Sequence, residues 1–251
     1  INILVVNARH MKNVPGRKTD MRDAQWIATL LRAGLLKGSF IPDKTFRELR
    51  HLTRYRKSIV HDITAQKNRI DKFLQSSGFR FAAFLSDSFG ASGRNIIRHL
   101  MEYGSISREA LDKCLKTQTR KRIDEILIAL NGSLSEHQRG FLRMIFEHLE
   151  ALEQHRHSVE NAIAEEITKH EKALSLLCSI PGIDVTAAAA IIAEIGTDMS
   201  AFPDSQHICS WAGLSPGNNE SAGKRKSAHI NKGNPYLKSM LCEVGWVISG
   251  K

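Results

Sequence analysis

Between Thr45 and Gln75 the chain has neither Gly nor Pro. Leu49, Leu52, Arg56, Ile59, Ile63, Gln66, Ile70 and Phe73 follow one another at alternating spacings of three and four. This is a heptad seam and predicts one long helix. A second seam, Leu142, Ile145, Leu149, Leu152, Arg156, Val159 and Ile163, follows the capping-box sequence Ser135-x-x-Gln138 and predicts a helix running to about Leu177. Each stripe must be buried against something, so the pair implies an antiparallel helical hairpin or a coiled-coil dimer. Residues 76–134 between them carry Gly and Ser punctuation and shorter helical patterns.

The two ends differ from this middle. Ile3 to Asn7 reads as a short strand, apolar on both faces and hence buried. A polar stretch from Ala8 to Lys18 follows, and Thr19 can cap a helix with apolar positions at Ala24, Ile27, Ala28, Leu30 and Leu31. Gly34 and Gly38 close it, and Pro42 opens the next segment. Near the other end, Leu177-Cys178-Ser179-Ile180-Pro181-Gly182-Ile183 reads as a turn between helices, and Ala187 to Ile195 as a small apolar helix closed by Gly196. Residues 213–235 are rich in Gly and Pro and read as a long loop, which inside a domain is functional or disordered. The pattern divides the chain at 1–44, 45–177 and 178–251. The expected fold is mainly α, with one strand.

Composition narrows the function. Of 251 residues 42% are hydrophobic and 25% charged, which excludes disordered, collagenous and disulfide-rich classes. No apolar run is long enough to span a membrane. The formal net charge is +10, and residues 1–75 carry all of the surplus, with 16 Lys and Arg against 6 Asp and Glu. Such a surface concentrates polyanions, nucleic acid above all. Cys114, Cys178, Cys209 and Cys242 are widely spaced, as reduced cytoplasmic thiols would be, and form no zinc pattern. No phosphate-binding glycine loop is present.

Three constellations could carry chemistry. In Lys18-Thr19-Asp20-Met21-Arg22-Asp23-Ala24 two acids stand three apart on a helix, where they could share a hard cation such as Mg²⁺ or merely answer the helix dipole. In Glu220-Ser221-Ala222-Gly223-Lys224-Arg225-Lys226 a serine beside a basic triplet could attack a phosphodiester, or the stretch could be a plain surface loop. Glu220 and His229 are the nearest titratable groups, and no obvious base accompanies the serine. Ile180-Pro181-Gly182-Ile183 looks like a helix-hairpin-helix turn that offers backbone N–H groups to a phosphate, or serves helix packing alone. Asp184 stands where that motif usually has a second glycine.

These motifs, together with Trp211-Ala212-Gly213-Leu214-Ser215-Pro216 and Ile230-x-Lys232-x-Asn234-x-x-Leu237-Lys238, occur in an order that resembles one family. It is that of the DEDD-type transposases of bacterial insertion sequences, the bridge-RNA-guided recombinases. The resemblance covers nearly the whole chain. It implies a RuvC-like domain with four Mg²⁺-binding acids, of which Asp20 and Asp23 match the last two. It implies next a coiled coil, then a transposase domain whose nucleophilic serine aligns with Ser221. Ala222 stands where a glycine commonly follows that serine.

Lys18, Arg22, Gly182, Lys224, Arg225, Lys226 and Lys232 are expected to contact nucleic acid. By the same resemblance, the partners are DNA (element ends and target), a guide RNA and further copies of the chain, as dimer or tetramer, in the bacterial cytoplasm. The chain would then begin partway through the RuvC-like domain, so 1–44 is expected to be its remnant and this stretch alone to be inactive. The alternative is a non-catalytic basic module that only binds nucleic acid.

Overall fold

The computed structural model describes residues 4–6, 20–36, 38–215, 219–221, 224–227, 230 and 232–250; the side chains of residues 20–23, 219–221 and 224–227 are not among the described atoms. The described part is mainly helical, with one two-stranded antiparallel ribbon. It forms two compact units, residues 49–175 and residues 1–48 with 176–251. Pieces that the sequence pattern separates as 1–44 and 178–251 therefore lie within one unit.

The first unit is built on α2 (Lys44–Ser76), which continues into it from residue 49, and α7 (Glu136–Ile167). Both seams face inward as expected. Leu49, Ile59, Ile63 and Ile70 of α2 are buried, as are Leu142, Ile145, Leu149, Val159 and Ile163 of α7. Each fully buried aliphatic side chain of this layer contributes roughly 1.5–3 kcal/mol. The helices run antiparallel, since Phe73 meets Phe141, Gln66 meets Ile145 and Arg56 meets Glu160. Ser135 caps α7 with both bonds of the capping box.

The short helices of this unit lie between those two in sequence: α3 (Ala91–Tyr103), α4 (Arg108–Cys114), α5 (Thr117–Arg120) and α6 (Ile123–Ala129). α3 also packs antiparallel to α7. Arg94 pairs with Glu153 at 2.6 Å and Arg98 with Glu150 at 2.8 Å, over a layer holding Ile96, Ile97 and Leu100. α7 stops at Ile167 rather than near Leu177. There the backbone tightens into a 3₁₀ turn, Thr168–His170, and the Thr168 hydroxyl donates to the Glu165 carbonyl at the i−3 spacing of such a turn. The helix α8 (Glu171–Cys178) follows.

The second unit centres on α9 (Val185–Ile195) and α11 (Pro235–Ser249). Ala187, Ala188, Ala189 and Ala193 of α9 are buried, and such small side chains let α11 approach closely through Leu237 and Val244. Rings of Phe40, Phe202 and Trp211 pack edge to face, with centroids 4.9–5.8 Å apart. Phe40 belongs to the N-terminal segment, so this cluster ties the two ends of the chain together.

One expectation for this segment is corrected. Ile3 to Asn7 does not form a buried strand in its described part. Leu4 and Val5 are about half exposed, and Val6 makes only an isolated bridge to Gly38. A strand buried on both faces needs neighbours on its edges and cover on its faces. Among the described residues its partners are Gly38 and Ser39, whose N–H donates to Val5 at 2.7 Å. The helix α1 (Asp20–Arg32) begins one residue after Thr19, as expected, but only Leu30 of its apolar positions is buried.

Candidate functional site

The described residues of the 213–235 segment include two paired strands rather than loop alone. β1 (Asn219–Ser221) and β2 (Lys224–Ser227) pair antiparallel, with Ser221 directly opposite Lys224 and Glu220 opposite Arg225. A bulge interrupts the ladder between Asn219 and Glu220. Neither strand contains an apolar residue, so the period-two signal that reveals most strands is missing from this one. Ser221 is the last residue of its strand, paired with Lys224, the first residue of β2.

The described residues that flank the ribbon in sequence close on one another, making a base for the segment between them. Gly213 ends α10 (Ser205–Ala212) in the left-handed conformation, φ 75°, with Leu214 N–H donating to the Cys209 carbonyl at 2.8 Å. Twenty residues later Gly233 lies against that same cap. A Cβ on Gly233 would stand 2.2 Å from the Gly213 nitrogen and 2.5 Å from the Trp211 carbonyl oxygen, so only glycine fits. The next residue, Asn234, donates its backbone N–H to that carbonyl at 3.0 Å.

Asn234 also starts α11. Its Oδ1 accepts from the N–H groups of Tyr236 and Leu237, and Pro235 occupies the first helical position, which needs no donor. Its Nδ2 donates to Glu194 of α9 at 2.5 Å. Glu194 is 2% exposed, an acid inside an otherwise alanine- and isoleucine-rich helix. The candidate residues read from the sequence do not include Glu194 or Asn234 in a linked role. A signal for Glu194 does exist in the sequence: it is the one charged residue of α9.

The remaining expected site residues fall as follows. Asp20 is the first residue of α1 and Asp23 lies three positions on, within its first turn, with Arg22 between them. Lys18 lies outside the described residues. Lys224, Arg225 and Lys226 are consecutive in β2, and Lys232 is exposed just before Gly233. Gly182 has φ 86° in its turn, and a Cβ there would stand 3.3–3.4 Å from Ile248 and Val247 of α11. The turn therefore packs closely on α11. Among the described residues, no three His, Cys, Asp or Glu side chains gather as a metal site.

Local electrostatics act on the elements that carry the ribbon. Asp204 caps α10, and its carboxyl is held below the usual aspartate range by the hydrogen bonds of the His207 side chain, at 2.7 Å, and backbone N–H. Asp198 is lowered likewise by the Ser200 N–H and hydroxyl. In the other unit, burial pushes the Cys114 thiol up, which disfavours the thiolate a nucleophile needs.

Residues 1–78 match the DEDD model of IS110 elements, described as "Transposase", and residues 174–251 match the "Transposase IS116/IS110/IS902 family". Both ends of the chain are IS110-family transposase domains. Among curated proteins, the chain is similar to the putative transposase y4qE of Sinorhizobium fredii, 24% identical over 91% of this chain and 47% of that protein. It is also similar to the insertion element IS110 uncharacterized 43.6 kDa protein of Streptomyces coelicolor, 26% identical over 90% of this chain and 60% of that protein. The chain thus spans about half the length of the curated relatives it matches. No solved structure matches it. The IS110 domain at residues 174–251 includes the whole ribbon and its closed base, and the one at residues 1–78 includes Asp20 and Asp23. No helix among the described residues is long and apolar enough to cross a membrane.

Proposed function

We propose that this chain is the serine-bearing part of a DNA transposase that cuts and rejoins DNA at insertion-element ends and target. The observation that supports this most is the position of Ser221. It ends a strand opposite Lys224, in a basic ribbon held at a closed base, inside the segment that matches the transposase family.

In this reading Ser221 Oγ attacks a phosphorus of the DNA backbone. An Oγ–P bond forms, the bond from phosphorus to one sugar oxygen breaks, and that oxygen takes up a proton as it leaves. The serine proton passes to solvent or to a base supplied at assembly. Lys224, Arg225 and Lys226 offset the negative charge that builds on the phosphate oxygens, which is where fixed cations lower a phosphoryl-transfer barrier. Attack by a second DNA hydroxyl on the phosphoserine reverses the sequence, releases the serine and rejoins the strands.

Asp20 and Asp23 fit the second half of such a centre. Two carboxylates three apart in one turn are oxygen donors suited to Mg²⁺, which keeps several waters and takes few protein ligands. The ion would supply Lewis-acid stabilisation of the phosphate. The family resemblance provides four acids, of which residues 1–251 carry two, so this stretch taken alone is proposed to be inactive. A guide RNA on the basic first third, and assembly as a dimer or tetramer that brings acids and serine together from different copies, complete the proposal.

The test is Ser221→Ala in the full-length transposase. Strand transfer is expected to vanish while DNA and RNA binding survive. Loss of binding together with transfer would instead assign Ser221 to folding.

A further inference from the structure

We propose that Glu194 is a positioning residue for Ser221, acting through Asn234, and that the two form a clamp closing the base of the ribbon. The inference rests on the reading of Ser221 as nucleophile and deepens it.

Burying the carboxylate of Glu194, in a helix otherwise of small and apolar residues, is costly unless partners compensate. Asn234 Nδ2 is such a partner, at 2.5 Å. The N–H groups of Tyr236 and Leu237 need Oδ1 as their acceptor, which turns the Asn234 NH₂ toward a Glu194 oxygen that accepts from it. With its side chain set in this way, the Asn234 backbone N–H is aimed at the Trp211 carbonyl, 3.0 Å away. That bond joins the two roots of the segment holding Ser221, which the contact of Gly233 with Gly213 draws to backbone packing distance. Four elements thus meet at one residue: α9 through Glu194, α10 through Trp211, α11 through its cap, and the segment carrying the ribbon.

Closing a segment of this length costs entropy that is recovered only if its ends are held. Holding them sets where the ribbon can travel. Transfer to phosphorus needs the attacking oxygen near 3 Å and in line, and a displacement of about 1 Å can cost roughly a hundredfold in rate. Glu194 never needs to touch DNA to govern that step.

An exchange of donor and acceptor separates this role from simple packing. Asn234→Asp keeps a good helix cap but sets two carboxylates face to face. Glu194→Gln with Asn234→Asp restores one hydrogen bond with its direction reversed. In the full-length transposase, Asn234→Asp is expected to cut the strand-transfer rate by roughly tenfold to a hundredfold. Equilibrium DNA affinity should stay unchanged, and amide exchange at residue 234 should accelerate. The double variant is expected to recover both the rate and the protection. A double variant no better than the single one, or a single variant with undiminished protection at residue 234, would overturn the clamp. Strand transfer that survives Ser221→Ala in the same assay would instead sink the serine reading, while the exchange data still judge the clamp.

Discussion

Gln66 Nε2 donates to the Ile145 carbonyl at 2.6 Å, linking two antiparallel helices through a buried polar side chain in the middle of an apolar seam. Arg69 in turn donates to Gln66 Oε1. A single polar seam position is known to fix register at some expense of stability.

We therefore expect Gln66→Leu, similar in volume, to lower stability by about 1 kcal/mol, since the Ile145 carbonyl and Arg69 both lose Gln66 as a partner. Gln66→Ala should lower stability by about 2–3 kcal/mol, through the missing hydrogen bond and the cavity. Cysteine cross-linking between residues 73 and 141 should become less selective in the Leu variant than in the parent. Equal selectivity would show that Gln66 does not set the register.

Gly233→Ala places a methyl 2.2 Å from a backbone nitrogen that no rotamer change can move. The roots of the ribbon must then part, at roughly 1–3 kcal/mol for an overpacked site. Hydrogen exchange should localise the loss to residues 211–237 while α2 and α7 keep their protection.

Acid should act on α10 through Asp204. Its carboxyl titrates below the ordinary value of 3.8 in the folded chain, so it stabilises the folded form above that value. The contribution is lost as pH falls through the lowered folded pKa. Amide exchange at His207 is expected to rise in that acidic window. Asp204→Asn, which caps as well but does not titrate, should remove the pH dependence and keep the helix.

Binding to RNA and duplex DNA should weaken steeply with salt, because the Lys and Arg surplus of residues 1–75 releases counterions. Replacing Lys224, Arg225 and Lys226 with Gln should reduce the salt slope by about two to three, close to one for each phosphate no longer neutralised. A gel-shift salt series measures both. An unaltered slope would place these three residues off the DNA.

Much of the fold could be read from local pattern. The seams from Leu49 to Phe73 and from Leu142 to Ile163 are long and strictly periodic, and Ser135 with Gln138 marks a helix start within four residues. What escaped depends on distant or weakly patterned partners. The Ser221 ribbon has no apolar alternation to give it away. Leu4 and Val5 look like core because residue type is local, whereas cover is not. Glu194 stands out as a lone charge in α9, but its meaning lies in Asn234, forty positions away. The motif order pointed to the family where geometry could not, and the contact of Glu194 with Asn234 is visible only in the fold.

The proposed attack of Ser221 on DNA would leave a covalent protein–DNA species, and trapping that species is the decisive experiment. Full-length transposase would be incubated with end-labelled DNA and Mg²⁺, quenched in denaturant and digested with protease, and any DNA-linked peptide mapped by mass spectrometry. Label is expected on the peptide containing Ser221, absent in Ser221→Ala and retained at a lower level in Asn234→Asp. Completed strand transfer with no covalent protein–DNA species, or with label on another residue, would refute the serine mechanism.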